Sequence, residues 1–169
     1  MGLRIEPLGK HHDRATFSSG QPDIDDWFQR RAGQDERRNI ARVFVAVDDE
    51  LGLVGFYSLS SFSLAMSDIP ADLACKLPRY DTVPAALIGR LARDARVRGR
   101  GVGDLLLADA IRRTIGTARS LAIYVIVVDA KNERAVRFYR RYGFRPFPLN
   151  PSRLFLLTAT AIAALEKSR

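Results

Sequence analysis

The sequence predicts a mixed α/β fold: a twisted, mostly antiparallel sheet with one parallel strand pair, flanked by helices. Three stretches carry that prediction. In LIGRLARDARVRGRGVGDLLLADAIRRTI (residues 87–115), apolar and charged residues first mix like a strand with one buried face. Glycines then fall at 99, 101 and 103, followed by Leu107, Ala110, Ile111 and Ile115 at the three-and-four spacing of one helix face. The unit reads strand, glycine turn, helix. In LAIYVIVV (residues 121–128) an almost continuous apolar run marks a strand buried on both faces, placed beside the first. Residues 43–47 and 53–64 read as two antiparallel strands joined by the polar turn Asp48-Asp49-Glu50.

The remaining elements follow in order. Residues 3–8 form an edge strand closed by Gly9, and FSSGQP (17–22) is a turn cluster ahead of a helix capped by Asp23. Ile24, Trp27, Phe28 and Ala32 make that helix's apolar stripe, with Trp27 as a core anchor. Residues 34–42 are a polar, arginine-rich surface segment leading into the next strand. Residues 68–84 hold three prolines and little periodicity, so they read as an irregular connection with one short helix, placed for binding or dimer contacts. Asn132 caps a helix in which Ala135, Phe138, Tyr139 and Tyr142 share one face and Gly143 ends the helix. Phe144 and residues 153–158 supply the last strand material.

Composition bounds the function. A chain of 169 residues with 47% hydrophobic content suits one domain over residues 1–169. It carries a net charge of +8, with 23 arginines against 4 lysines, a balance suited to bidentate phosphate contacts. Cys75 alone excludes an internal disulfide and reads as a small apolar filler in a reducing cytoplasm. His11 and His12 are adjacent and not at ligand spacing, so no metal is expected. Arg4, Glu6 and Lys10 rule out a signal-peptide core, and the longest uncharged run, residues 51–67, is too polar and short to span a bilayer. A soluble cytoplasmic protein without membrane contact is expected.

The glycine turn is the chemical centre. Unpaired amides at a helix start, the positive end of the helix dipole, and flanking Arg98 and Arg100 suit a phosphate or pyrophosphate. No Lys follows Gly103, which excludes a nucleotide P-loop, and the glycine spacing excludes the dinucleotide fingerprint. What remains is R-x-x-G-x-G over residues 98–103, which resembles the acetyl-CoA pyrophosphate loop of the GNAT family of N-acetyltransferases. F-Y-x-x-x-G-F within NERAVRFYRRYGF (132–144) resembles the second acetyl-CoA motif of the same family. FSSGQPDIDDWFQRRA, VGFYSLSSFSL, PAALIGRLARDARVRGRGVG and VRFYRRYGFRPFP extend the likeness to acetyltransferase toxins of toxin–antitoxin pairs, over about residues 17–157.

The resemblance implies the GNAT fold, with the parallel pair splayed at the acetyl-CoA site. It implies acetylation of the amino acid on charged tRNA, a ribbon-helix-helix antitoxin partner and a homodimer. Acetyl-CoA is the expected cosubstrate, held by Leu91, Ala92, Arg93, Arg98, Gly99, Arg100, Gly101, Val102, Gly103 and Asn132. Arg93 stands where the family often has a small apolar residue, and Arg100 replaces a commonly uncharged one. The alternatives are acetylation of a small amine or protein N-terminus, or a nucleic-acid-binding module without catalysis.

Acylating an amine requires holding the thioester, stabilising an oxyanion, receiving a neutral amine and protonating the departing thiolate. Backbone amides over residues 91–94 are placed to polarise the thioester carbonyl if that strand splays. The proton donor is Tyr139, whose phenol has an ordinary pKa of about 10, near a thiol's value of about 8.5. Asp94 reads as a strand-end salt bridge. A charged-tRNA amine, with a pKa at or below about 7.7, needs no enzymic base. Arg30, Arg31, Arg37, Arg38, Arg42 and Arg90 are the residues expected to meet tRNA phosphates.

Overall fold

Seven strands form one sheet in the order β1-β2-β3-β4-β5-β7-β6 in the computed structural model, which describes residues 2–168. The strands are β1 (Leu3–Pro7), β2 (Arg42–Asp48), β3 (Gly52–Ala65), β4 (Thr82–Arg93), β5 (Val125–Asp129), β6 (Arg145–Phe147) and β7 (Asn150–Leu157). The helices are α1 (Pro22–Arg30), α2 (Ala32–Arg37), α3 (Ala71–Ala74), α4 (Val102–Ala118), α5 (Glu133–Arg141) and α6 (Thr158–Lys167). β1 with β2, β2 with β3, β5 with β7 and β6 with β7 pair antiparallel, and the sheet holds one parallel pair. This is the mixed fold expected, and α4 is the crossover that a parallel connection from β4 to β5 requires.

The chain divides into two units, Met1–Ser60 with Ile88–Ala110 and Ser61–Leu87 with Ile111–Arg169. In the first, the predicted stripe of α1 is buried: Ile24, Trp27, Phe28 and Ala32 pack with Phe17 against Val43, Val45, Val47, Leu53, Phe56 and Ala92. Phe28 stacks on Phe56 with ring centroids 4.0 Å apart. One local expectation is corrected. Asp23 does not cap α1: the cap position is Gln21, without a side-chain bond, and Pro22 opens the helix where its missing N–H costs nothing. Asp25 instead reaches back to the Ser19 amide at 3.0 Å and hydroxyl at 2.6 Å. The polar surface segment 34–42 is partly helical, because α2 runs into it. So short a helix is marginal alone; here it is pinned by buried Ala32 and by the Trp27 indole N–H donating to Asp35 at 2.9 Å.

In the second unit, Leu64, Ile69, Val83, Ala85, Val125, Val127, Phe147 and Phe155 form the core. β4 begins at Thr82 and so absorbs the end of the expected irregular connection. Pro84 sits within this strand because it lacks only a donor, and its carbonyl still accepts from the Tyr124 amide at 2.9 Å. β5 starts at Val125, later than the apolar run suggests, and Leu121 is 62% exposed. α6 lies beyond the expected elements, although its TATAIAALEK is rich in strong helix formers.

Candidate active site

The first unit builds the glycine turn from the end of β4. Asp94 terminates the strand: its amide donates to the Val54 carbonyl at 2.8 Å, and its carboxylate accepts from the Ser18 amide at 3.1 Å and from the Arg96 amide and Nε, each at 2.9 Å. Burial disfavours the charged form of Asp94, but these bonds outweigh it and hold the carboxyl below its ordinary value. Asp94 is therefore the strand-end ion pair expected, and it also caps a 3₁₀ turn over Ala95–Val97. The Arg98 and Arg100 amides then bond back to the Ala95 and Val97 carbonyls, at 3.3 and 3.1 Å.

Gly99 and Gly101 follow with φ of +78° and +77°, the left-handed region that costs glycine little. α4 begins at Val102, one residue before the glycine run ends, so Gly103 belongs to its first turn. The Val102 and Gly103 amides have no acceptor four residues back within the helix, whereas Leu105 already takes the Gly101 carbonyl at 3.1 Å. The result is a run of backbone donors at the positive end of a helix, with the exposed side chains of Arg98 and Arg100 beside it. Such donors are of the kind that bind a phosphate or pyrophosphate. The Asp104 carboxylate lies 3.9 Å from where a Cβ on Gly101 would sit, so one negative group already borders the cradle. On β4, Ala92 is buried and Leu91 and Arg93 are half-buried.

Tyr139 and Asn132 belong to the second unit. Asn132 is the cap expected of it, accepting from the Ala135 amide at 2.9 Å, which commits its side-chain oxygen to α5. Tyr139 is buried on the inner face of that helix, edge-on to Phe138 and Phe144, and no described residue hydrogen-bonds its hydroxyl. Burial, and after it the charge of Asp129, raises its pKa well above the ordinary phenol value. Asp129 is itself paired with Arg153 at 2.7 Å. At rest the Tyr139 hydroxyl is thus securely protonated and a weaker acid than a free phenol.

The expected tRNA-facing arginines lie in the first unit, and several are engaged. Arg30 pairs with Asp26 at 3.1 Å, and Arg42 binds Glu36 at 2.5 Å and also Asn39. Arg90 lies over the Trp27 ring, 4.1 Å from its centroid. Arg31, Arg37 and Arg38 are exposed. Arg14, outside the expected set, lies beside Arg37 over Gly33; nothing along the chain marks it, since only the fold brings the two together.

His11, His12 and Glu6 also converge, with potential ligand atoms within 4.8 Å of one another. The Gly9 amide donates to His12 Nδ1 at 2.8 Å, so the proton of the neutral ring sits on Nε2 and points at Glu6, 2.7 Å away. That tautomer makes a Glu–His hydrogen bond and blocks the nitrogen a metal would need.

Residues 39–146 match the family described as acetyltransferase (GNAT) domain. The tRNA-acetylating toxin of Mycobacterium tuberculosis is 39% identical over 153 residues, covering 90% of both chains. The structure of AtaT complexed with acetyl-methionyl-tRNAfMet is similar with a TM-score of 0.88 at 26% identity, covering 97% of this chain and 99% of that one. The structure of AtaTR bound with AcCoA is similar with a TM-score of 0.84 at 26% identity, covering 96% and 98%. With a family match over more than half its length and a relative this similar along nearly all of it, the chain belongs to the GNAT acetyltransferase family.

Proposed function

We propose that the protein transfers the acetyl group of acetyl-CoA to the α-amine of the amino acid on charged tRNA, and so blocks translation as the toxin of a toxin–antitoxin pair. The observation that carries the donor half is the cradle of Gly99, Gly101, Val102 and Gly103 at the start of α4, which suits the pyrophosphate of acetyl-CoA. The acceptor half is supported by similarity to the tRNA-acetylating toxin and to AtaT in its acetyl-methionyl-tRNA complex. A net charge of +8 repels a small cationic amine and attracts a polyanion.

In this reading Arg98 and Arg100 flank the pyrophosphate, while the backbone of Leu91, Ala92 and Arg93 receives the pantetheine and polarises the thioester carbonyl. The neutral amine attacks the carbonyl carbon; the C–N bond forms, the C–S bond breaks, and the amine's extra proton leaves to water. The departing sulfur receives its proton from Tyr139, which is then reprotonated from solvent. Asn132 acts through the start of α5, which carries Tyr139. Residues 1–169 work as one domain, as a homodimer in the cytoplasm, restrained by a ribbon-helix-helix antitoxin. No described helix is long and apolar enough to cross a membrane.

The test is incubation with acetyl-CoA and a total pool of charged tRNA, followed by mass spectrometry of the released aminoacyl adenosines. An N-acetylated product is expected. Its absence, with acetyl-CoA bound, would refute the acceptor.

A further inference from the structure

We propose that Arg14 and Arg37 form a two-guanidinium clamp for one phosphate of the tRNA backbone, a site that rests on the reading of charged tRNA as substrate. The two side chains converge over Gly33, where a Cβ would lie 3.2 Å from Arg14 Nη2 and 3.3 Å from Arg37 Nη1. Arg14 comes from the segment after β1, and Arg37 closes α2. Arg14 is fixed in place: its Nη1 donates to the Phe28 carbonyl at 2.8 Å, and its guanidinium lies 6.0 Å from the Phe28 ring centroid. Its other terminal nitrogen, Nη2, is the one nearest the space over Gly33 that Arg37 Nη1 also borders.

Among the described residues neither guanidinium has a carboxylate partner, although acids are close in sequence. Four of those acids are committed elsewhere. Asp25 holds Ser19, Asp26 holds Arg30, Asp35 holds Trp27, and Glu36 holds Arg42 and the Val43 amide. Burial, and then repulsion from Arg37, lowers the proton affinity of Arg14, as expected of two cations held together without an anion. An anion that reaches both relieves that repulsion, and planar guanidinium forks match phosphate oxygens. A nucleic-acid backbone supplies such groups in series. Exposed Arg31, between α1 and α2, and Arg38, just after α2, extend the field beyond a single phosphate.

The experiment measures binding of purified uncharged tRNA by fluorescence anisotropy across a potassium chloride series, using the full chain. Arg37→Gln should raise Kd roughly tenfold and reduce the log–log salt slope by about one. Gly33→Val leaves the charge unchanged but fills the space under the clamp, and should weaken tRNA binding in the same direction. Arg14→Gln should match Arg37→Gln; because it also frees the Phe28 carbonyl, the other two variants carry the test if it does not fold. Acetyl-CoA affinity should stay unchanged in all of them. Unchanged tRNA affinity in Arg37→Gln and Gly33→Val overturns the clamp. So does an equal loss in Arg112→Gln, an exposed control that removes the same charge elsewhere, and so does a loss confined to binding of a polyglutamate peptide. If the parent binds tRNA and the variants weaken it, yet no charged tRNA is acetylated, the clamp stands and the proposed reaction fails.

Discussion

Tyr139 is held by burial and by Asp129 in a state where ionisation is harder than for a free phenol. A phenol held this way stays protonated near neutral pH, and in the proposed reaction it gives up its proton only as the thiolate forms beside it. Tyr139→Phe should therefore keep the fold and acetyl-CoA affinity while lowering kcat by about 10²- to 10⁴-fold, the usual worth of general acid catalysis. Turnover within about threefold of the parent would make Tyr139 a core residue only. The pH profile is a second check. kcat/KM should rise as the amine, with a pKa near 7.7, loses its proton, and should not fall again before about pH 10, because raising the phenol's pKa moves its ionisation to higher pH. An alkaline limb with a lower midpoint would remove Tyr139 from the donor role. Asp94 shows the opposite shift. With its folded pKa below the unfolded value of about 3.9, its stabilisation is present above that value and is lost as pH falls through the folded one. Asp94→Asn should thus lower urea stability at pH 7 and flatten its decline toward pH 3; parallel curves for parent and variant would count against this.

At the scale of elements, the glycine turn and α1 fail differently when altered. Gly101→Val forces a branched side chain into φ of +77°, at a strain of about 1–3 kcal/mol, and crowds the donors at the start of α4. Calorimetry should show acetyl-CoA affinity falling sharply in a variant that remains folded; unchanged affinity would place the pyrophosphate elsewhere. In α1, Phe28 is fully buried and stacked on Phe56, so Phe28→Ala should cost about 3–5 kcal/mol in chemical denaturation. A cost below about 1 kcal/mol would mean that the core can collapse around the gap. Both elements were legible in sequence because each has a local signature, alternating glycines in one and an apolar stripe at helical spacing in the other. The cap of α1 was not: the helix starts at Pro22, so the cap position falls on Gln21 and Asp23 lies inside the first turn, a boundary shift that no local signal marks.

For the whole molecule, the net charge of +8 makes salt the discriminating variable. If charged tRNA is the acceptor, its KM should climb steeply with potassium chloride as counterion release weakens, while the KM for acetyl-CoA, with far fewer phosphates, changes little. Equal salt dependence of the two constants would argue against a polyanionic acceptor. The charge also has structure that a count does not reveal. Arg30, Arg42 and Arg90 are paired or stacked, so part of the arginine excess serves the fold.

What the sequence determined by itself is whatever depends on neighbours along the chain: the strand, glycine turn and helix around residues 98–103, the buried stripe of α1, Asn132 as a cap, and the Phe-Tyr motif at 138–139. These rest on backbone conformation and periodicity, which local residues dictate. Tertiary structure decided what depends on residues distant in sequence. It made α2 a helix by pinning it to Trp27, admitted Pro84 into a strand through its carbonyl, and drew His12 onto Glu6 in a tautomer closed to metal. It also raised the pKa of Tyr139 by burying it near Asp129, and set Arg14 against Arg37 over Gly33. Burial and charge proximity act through space, so no reading along the chain can supply them.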